Sequence, residues 1–241
     1  MNKNCLIYQP LGLGDIIWIL PIVDTIIKSG YNVYYPVGDV YYDMVSTYIE
    51  KENLIWVRES DDFPLKKYYG QLNAIDTETE LYLPIRYADR HFPNCSTMIA
   101  KYYFLSIPIG DWRKSFSLKR NKEREKKLVE TYSLTGEYVL VNKSFGTEYQ
   151  DRELNILSNK KIHYMNVEED KKNGFCLFDW VLALENALEI HTVETSLCFL
   201  VDKYCLNNEI HMYEKRREKE ENTFYKHINL LFRNPNWIYE N

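Results

Sequence analysis

The sequence predicts an α/β protein built from two halves, each with a parallel sheet. Apolar segments of strand length alternate with amphipathic segments of helical length through residues 5–105, and a second alternating series starts at residue 138. Between them, residues 107–122 break the rhythm with Pro108, Gly110 and a basic, apolar-poor stretch. Strands that alternate with helices imply right-handed crossovers and a parallel sheet with helices on both faces.

The first half opens with a strand and a long apolar helix. Residues 5–8 form a short apolar run, and residues 16–27 carry apolar side chains at helical spacing over a wide face. Pro21 predicts a kink or restart in this helix because proline removes an interior hydrogen bond, and Gly30 predicts its end. The further elements expected in this half are strands at 32–37, 54–57 and 80–85 and helices at 40–49 and 96–105.

The second half repeats the α/β pattern after a charged surface helix at 123–132. We place the boundary after residue 116, which gives domains 1–116 and 117–241. A mixed-charge run at 214–221 is typical of a solvated helix face. The elements expected here are strands at 138–142, 162–166, 190–193 and 210–213 and helices at 178–188 and 195–205.

Composition limits the classes of function. The chain has 241 residues, of which 45% are hydrophobic, so it can bury a substantial core. A net charge of -5 argues against a nucleic-acid partner, whose binding surface is normally rich in Lys and Arg. The five cysteines form no C-x-x-C pair and the five histidines are scattered, so neither a disulfide framework nor a metal site is expected.

The longest apolar segment, residues 16–27, is interrupted by Pro21 and Asp24. It falls short of the roughly 20 residues that cross a bilayer, so no transmembrane segment is expected. The apolar run near the N-terminus is also too short for a signal peptide. These observations predict a cytoplasmic protein.

A glycine-rich turn follows the first predicted strand. Gly12 and Gly14 allow a tight turn in which the backbone N–H groups of Gly12, Leu13 and Gly14 approach a bound phosphate. Asp15 follows at the mouth of the expected cleft, where it is either a functional carboxylate or a helix N-cap. Ile17 occupies the third-glycine position of G-x-G-x-x-G, which disfavours a nicotinamide or flavin site.

The segment that starts with Gly14-Asp15 continues with an apolar stretch, Pro21 and a second apolar stretch. This pattern resembles the N-terminal signature of the heptosyltransferase-like (family 9-like) glycosyltransferases. In the second half, residues 194–199 resemble the D-T-G-x-x-H motif of the same family, with Phe199 in place of the histidine. The resemblance implies the GT-B architecture, in which two Rossmann-like domains face each other across a cleft and the last helix packs back over the domain junction.

The resemblance also implies a reaction. A sugar is transferred from a nucleotide-sugar donor to a hydroxyl of a glycan or glycolipid acceptor, with inversion, without metal or other cofactor, and with Asp15 as the general base. Two segments are expected to hold the donor phosphates, and for each the ordinary alternative is a solvated loop or a helix cap. The donor-binding residues expected in these segments are Lys143, Ser144, Thr147, Glu194, Thr195 and Ser196.

Two other classes of protein remain open. Phe199 and the short chain are compatible with a nucleotide- or sugar-binding protein without catalysis. Asp39 lies 25 residues after Gly14 and could hold a ribose in an oxidoreductase or epimerase.

The segments 59–61 and 76–78 are degenerate D-x-D sequences, which we interpret as surface loops. The 21 tyrosines are interpreted mainly as structural residues.

Overall fold

The computed structural model describes residues 3–93, 95–144, 153–154, 156, 158–213 and 230–240. The chain divides into two compact units, unit 1 (Met1–Lys119) and unit 2 (Arg120–Asn241). Each unit contains a five-stranded sheet in its described part. In those same ranges no helix combines the length and the apolar character that crossing a bilayer demands.

The sheet of unit 1 has the strand order β3-β2-β1-β5-β4. Strands β1, β2, β3 and β5 run parallel, and β4 runs antiparallel to β5. The four predicted strands are all present, but β4 was not predicted because two residues leave no periodic pattern. The strands of unit 1 are β1 (Lys3–Ile7), β2 (Tyr31–Val37), β3 (Leu54–Arg58), β4 (Ile75–Asp76) and β5 (Glu80–Leu83).

The predicted break in the first long helix is confirmed. One helix ends at Trp18 and the next starts at Leu20, with Pro21 in the first turn, where a missing N–H disrupts no helical bond. Gly30 follows the C-cap residue and has φ 88°, as expected of a helix end. The helices of unit 1 are α1 (Leu13–Trp18), α2 (Leu20–Lys28), α3 (Asp39–Tyr48), α4 (Thr97–Phe104) and α5 (Trp112–Ser115), with 3-10 turns at Lys66–Tyr68 and Ile85–Arg90.

The sheet of unit 2 is parallel, with the order β10-β9-β8-β6-β7. Its strands are β6 (Tyr138–Asn142), β7 (Lys161–Tyr164), β8 (Glu189–Val193), β9 (Glu209–Tyr213) and β10 (Trp237–Glu240). Its helices are α6 (Lys122–Thr131), α7 (Val167–Lys172), α8 (Val181–Asn186) and α9 (Leu197–Tyr204), and a 3-10 turn (Leu177–Trp180) precedes α8. The run 214–221 lies outside the described residues.

The last described residues, 237–240, were not predicted as a strand and form the edge strand β10, which pairs with β9. Asp202 on α9 explains why this segment returns to unit 2. Its Oδ1 accepts hydrogen bonds from the backbone N–H groups of Arg233 and Asn234, both at 2.9 Å, and from the indole of Trp237 at 2.7 Å. A buried carboxylate oxygen with three donors fixes the approach to β10.

Two histidines stack on neighbouring strands of unit 2. The rings of His191 on β8 and His211 on β9 are parallel within 2°, with centroids 4.3 Å apart. His211 contacts the carboxylates of Glu209 at 2.9 Å and Glu240 at 2.8 Å, and His191 contacts the hydroxyl of Tyr213 at 2.9 Å. Burial, followed by the neighbouring His211, lowers the pKa of His191.

We therefore expect unit 2 to lose stability in mild acid. A histidine whose folded pKa is lowered favours the neutral form, so its contribution to stability is lost as the pH falls below its unfolded pKa of about 6.5. The urea midpoint should be lower at pH 5.5 than at pH 7.5, and His191→Gln should reduce that difference. The exposed His91 provides the control, His91→Gln. An unchanged pH dependence in His191→Gln would contradict the assignment.

Candidate functional site

The carboxyl ends of the strands in unit 1 meet at a topological switch point. Strand β1 lies between β2 and β5. The chain therefore places β2 and β3 on one side of β1 and the later strands β4 and β5 on the other side. The loop after β1 is hydrogen-bonded to the segments on both sides. The backbone N–H of Tyr8 donates to the carbonyl of Leu83 at 2.9 Å, and the backbone N–H of Gly38 donates to the carbonyl of Pro10 at 2.9 Å. Open parallel sheets bind their ligands at this position.

The glycine turn is built around the carboxylate of Asp15. Gly12 is the N-cap of α1 and has φ 84°, a left-handed conformation that favours glycine. A Cβ on Gly12 would lie 2.5 Å from Oδ2 of Asp15, so a larger residue would displace that oxygen. Leu13 is buried and Gly14 lies in the first turn of α1. Asp15 is the third helical residue and does not cap the helix, so the N-cap alternative was wrong.

A buried lysine holds Asp15. Nζ of Lys101 on α4 forms an ion pair with Oδ1 of Asp15 and also lies 3.9 Å from the sulfur of Met98. The side chain of Lys101 is 1% exposed, whereas that of Asp15 is 30% exposed. A buried ammonium requires a carboxylate partner, and this pairing orients Asp15 while leaving part of it accessible. The arrangement suits a carboxylate that accepts a proton from a bound hydroxyl.

Unit 2 has a switch point of its own between β6 and β8. Asn142, the last residue of β6, donates from Nδ2 to the hydroxyl of Thr192 at 3.1 Å and to that of Thr195 at 3.2 Å. These bonds bring together the two segments expected to bind the donor, one after β6 and one after β8. Asn142 itself was not predicted as a site residue.

The segment after β6 contains two of the predicted donor-binding residues. Lys143 and Ser144 are both half-buried, and Nζ of Lys143 lies 5.8 Å from the ring centroid of Tyr164 at the end of β7. The ammonium is therefore positioned at the carboxyl edge of the sheet. Thr147 lies outside the described residues.

The turn after β8 contains Glu194, Thr195 and Ser196, all half-buried. Thr195 hydrogen-bonds to the first turn of α9. Its hydroxyl accepts the N–H of Leu197 at 3.3 Å, and its carbonyl accepts the N–H of Cys198 at 3.1 Å. Ser196 is the N-cap residue but its side chain makes no capping bond. The N–H groups of Leu197 and Cys198 are thus hydrogen-bonded within the turn, which leaves the hydroxyls and Lys143 as candidates for phosphate contacts.

Phe199, which stands where the D-T-G-x-x-H motif has its histidine, is part of the hydrophobic core. Phe199 is 3% exposed, and its ring lies 5.1 Å from that of Phe232 in a T-shaped contact. A polar group at this position would be buried against an aromatic ring. Phe199 therefore contributes packing to α9.

The degenerate D-x-D segments differ from each other. Glu59 directly follows β3, at the carboxyl edge of the sheet, whereas Asp76 is part of β4, so its assignment to a loop was wrong. Asp39 is the first residue of α3 and accepts a hydrogen bond from Ser60 at 3.0 Å. Across the described ranges, no group of three or more His, Cys, Asp or Glu side chains is arranged to hold a metal ion.

The fold is similar to that of solved glycosyltransferases. The glycosyl transferase family 9 protein from Veillonella parvula DSM 2008 is 9% identical, with a TM-score of 0.51, and the match covers 100% of this chain and 87% of that one. The iron-containing dodecameric glycosyltransferase TibC from enterotoxigenic E. coli H10407 is 7% identical, with a TM-score of 0.53 and coverages of 100% and 63%. ADP-heptose lps heptosyltransferase II from E. coli is 8% identical, with a TM-score of 0.46 and coverages of 99% and 90%.

Neither protein-family profiles nor curated protein sequences give a match to this chain. The similarity is therefore one of structure. The predicted resemblance to heptosyltransferase-like glycosyltransferases is confirmed at the level of the fold.

Proposed function

We propose that this protein is a glycosyltransferase of GT-B architecture that moves a sugar from a nucleotide-sugar donor to a hydroxyl of a glycan or glycolipid acceptor. The observation that carries the proposal is the accessible Asp15 carboxylate, held by buried Lys101 at the switch point of unit 1. The structural similarity to glycosyltransferases supports the reaction class. In this proposal unit 1 supplies the base and binds the acceptor, and unit 2 binds the donor, in the cytoplasm.

The proposed reaction is a single displacement with inversion. The acceptor oxygen attacks the anomeric carbon as its proton passes to Asp15, and the bond between that carbon and the diphosphate oxygen breaks on the opposite face. The nucleoside diphosphate leaves with the electron pair. Its negative charge is stabilised by side chains, and no metal is required in this scheme.

The donor site is proposed to combine both segments of unit 2. Lys143 neutralises phosphate charge, and the hydroxyls of Ser144, Thr195 and Ser196 donate hydrogen bonds to phosphate oxygens. The carboxylate of Glu194 accepts hydrogen bonds from hydroxyls of the donor. Thr147 and the backbone of Gly12, Leu13 and Gly14 complete the set of proposed donor contacts.

The first test is a thermal-shift screen of nucleotide sugars, NAD(H) and NADP(H), with and without EDTA. A ligand present at 100 times its Kd stabilises the folded state by about 2.7 kcal/mol. We expect a nucleotide sugar to raise the Tm without added metal, and Lys143→Met and Thr195→Val to reduce the shift. Lys172→Met, on an exposed position of α7, should not change it.

The screen also separates the alternatives. A shift with NAD(H) alone would favour the oxidoreductase class, with Asp39 on the ribose. Binding of a nucleotide sugar without transfer to any acceptor in a radiolabel assay would favour a binding protein. Strict dependence on Mn²⁺ would contradict metal-independent transfer.

A further inference from the structure

Three tyrosines cluster at the switch point of unit 1. The rings of Tyr8 and Tyr69 are 4.6 Å apart and perpendicular, and those of Tyr8 and Tyr87 are 5.4 Å apart. The hydroxyls of Tyr8 and Tyr87 are 3.4 Å apart. All three side chains are half-buried. The cluster is therefore anchored in the protein and still accessible to a ligand.

The cluster forms because strand ends and a covering loop converge there. Tyr8 directly follows β1, and its carbonyl accepts the N–H of Arg86 at 3.0 Å, which ties it to the segment that contains Tyr87. Tyr69 follows the 3-10 turn Lys66–Tyr68 and packs with the sheet-face core around Leu6. The tyrosines thus come from three separate parts of the chain and meet at the position where open parallel sheets bind ligands.

Two opposite charges flank this cluster without pairing. Glu59 follows β3 and Arg86 follows β5, and both act electrostatically on Tyr8, whose pKa burial raises to about 12. Within the part of the chain that the structure describes, neither Glu59 nor Arg86 forms an ion pair. The carboxylate of Glu59 lies close to the hydroxyl of Tyr69, and Arg86 is joined to Tyr8 by its backbone N–H at 3.0 Å, so an acceptor and a donor lie at the cluster without pairing with each other.

We propose that Tyr8, Tyr69 and Tyr87, flanked by Glu59 and Arg86, form a subsite for an uncharged saccharide ring. Aromatic rings pack on the apolar face of a sugar, while the carboxylate accepts and the guanidinium donates hydrogen bonds at its hydroxyls. One negative and one positive group give no net charge that would select an anionic sugar. This inference rests on the proposed function, of which the subsite is the acceptor side.

The test is saturation-transfer NMR on the full chain. The probes are methyl α-glucoside, methyl α-galactoside and N-acetylglucosamine, compared with glucuronate and glucose 6-phosphate. We expect at least one neutral probe to bind more tightly than the two anionic ones. Tyr87→Ala should weaken that binding by about 3- to 10-fold, whereas Tyr87→Phe should largely retain it because the ring remains.

Tyr103→Ala is the matched control, since Tyr103 is an exposed tyrosine on α4. Tyr69→Ala is a second variant in case Tyr87→Ala folds poorly, and circular dichroism checks each protein. Absence of binding by every neutral probe, preference for the anionic probes, or unchanged affinity in both alanine variants would overturn the subsite.

The outcomes also separate this inference from the proposed function. Saccharide binding at the tyrosines without binding of any nucleotide sugar would support the subsite and contradict the proposed transferase function. Sugar transfer with an acceptor KM that is unchanged in Tyr87→Ala and Tyr69→Ala would support the proposed transferase function and contradict the subsite.

Discussion

Asp15→Asn is expected to lower kcat by about 10²- to 10⁴-fold, the range that a positioned general base contributes. The amide keeps the size of the side chain and an oxygen that can face Lys101, but it cannot take a proton from the acceptor hydroxyl. Donor binding should be largely retained, because the proposed side-chain contacts to phosphate lie in unit 2 and the proposed contacts of Gly12, Leu13 and Gly14 are made by backbone groups that the substitution keeps. Initial rates with the donor found in the screen, together with its thermal shift, measure both quantities.

The matched control for this variant is Asp24→Asn. Asp24 also pairs with a lysine in unit 1, since its Oδ1 lies 2.8 Å from Nζ of Lys51, but it belongs to α2 and not to the glycine turn. Its replacement should leave kcat nearly unchanged. An Asp15→Asn enzyme with wild-type kcat would remove Asp15 from the mechanism.

Most of the strands and the position of the Asp15 carboxylate after the glycine turn could be predicted from the sequence because their signals are local. Apolar runs such as residues 138–142 become strands, and Pro21 and Gly30 mark helix boundaries through their own backbone chemistry. Asp15 was predicted at this position because it follows a glycine turn that follows a strand, and its role as general base was taken from the resemblance. Each of these inferences requires only residues that are close together along the chain.

The partners of the site could not be predicted because they depend on tertiary packing. Lys101 lies 86 residues from Asp15, and a single lysine in an amphipathic helix is usually solvated. Asn142 resembles any polar residue that ends a strand until β8 places Thr192 and Thr195 beside it. Short elements such as β4 leave no measurable periodicity.

The tyrosines show the same limit. The adjacent residues Tyr68 and Tyr69 have identical local sequence signals but different neighbours. Tyr68 stacks on Tyr82, whose side chain is fully buried, whereas Tyr69 contacts Tyr8 at the carboxyl edge. The interpretation of the tyrosines as structural residues therefore holds for Tyr82, and the cluster at the switch point had to be located in three dimensions.

The unequal burial of the ion pair at Asp15 predicts an unequal effect of removing either partner. Asp15→Asn leaves the ammonium of Lys101 buried without a countercharge, which should cost about 3 kcal/mol, the lower end of the range for a broken buried pair. Lys101→Met removes the buried charge and leaves a carboxylate that water can reach, so it should destabilise less. Urea unfolding of both variants measures the difference.

The double variant Asp15→Asn/Lys101→Met separates stability from catalysis. With both charges removed, the free energy of unfolding should return toward that of the wild-type protein, because replacing a whole buried pair is often neutral. Its activity should remain as low as that of Asp15→Asn, since no base is present. Lys101→Met alone keeps the base but loses its orientation, and a misplaced group costs about 10²-fold in rate. Equal destabilisation by the two single variants, or wild-type kcat in Lys101→Met, would show that Lys101 does not position Asp15.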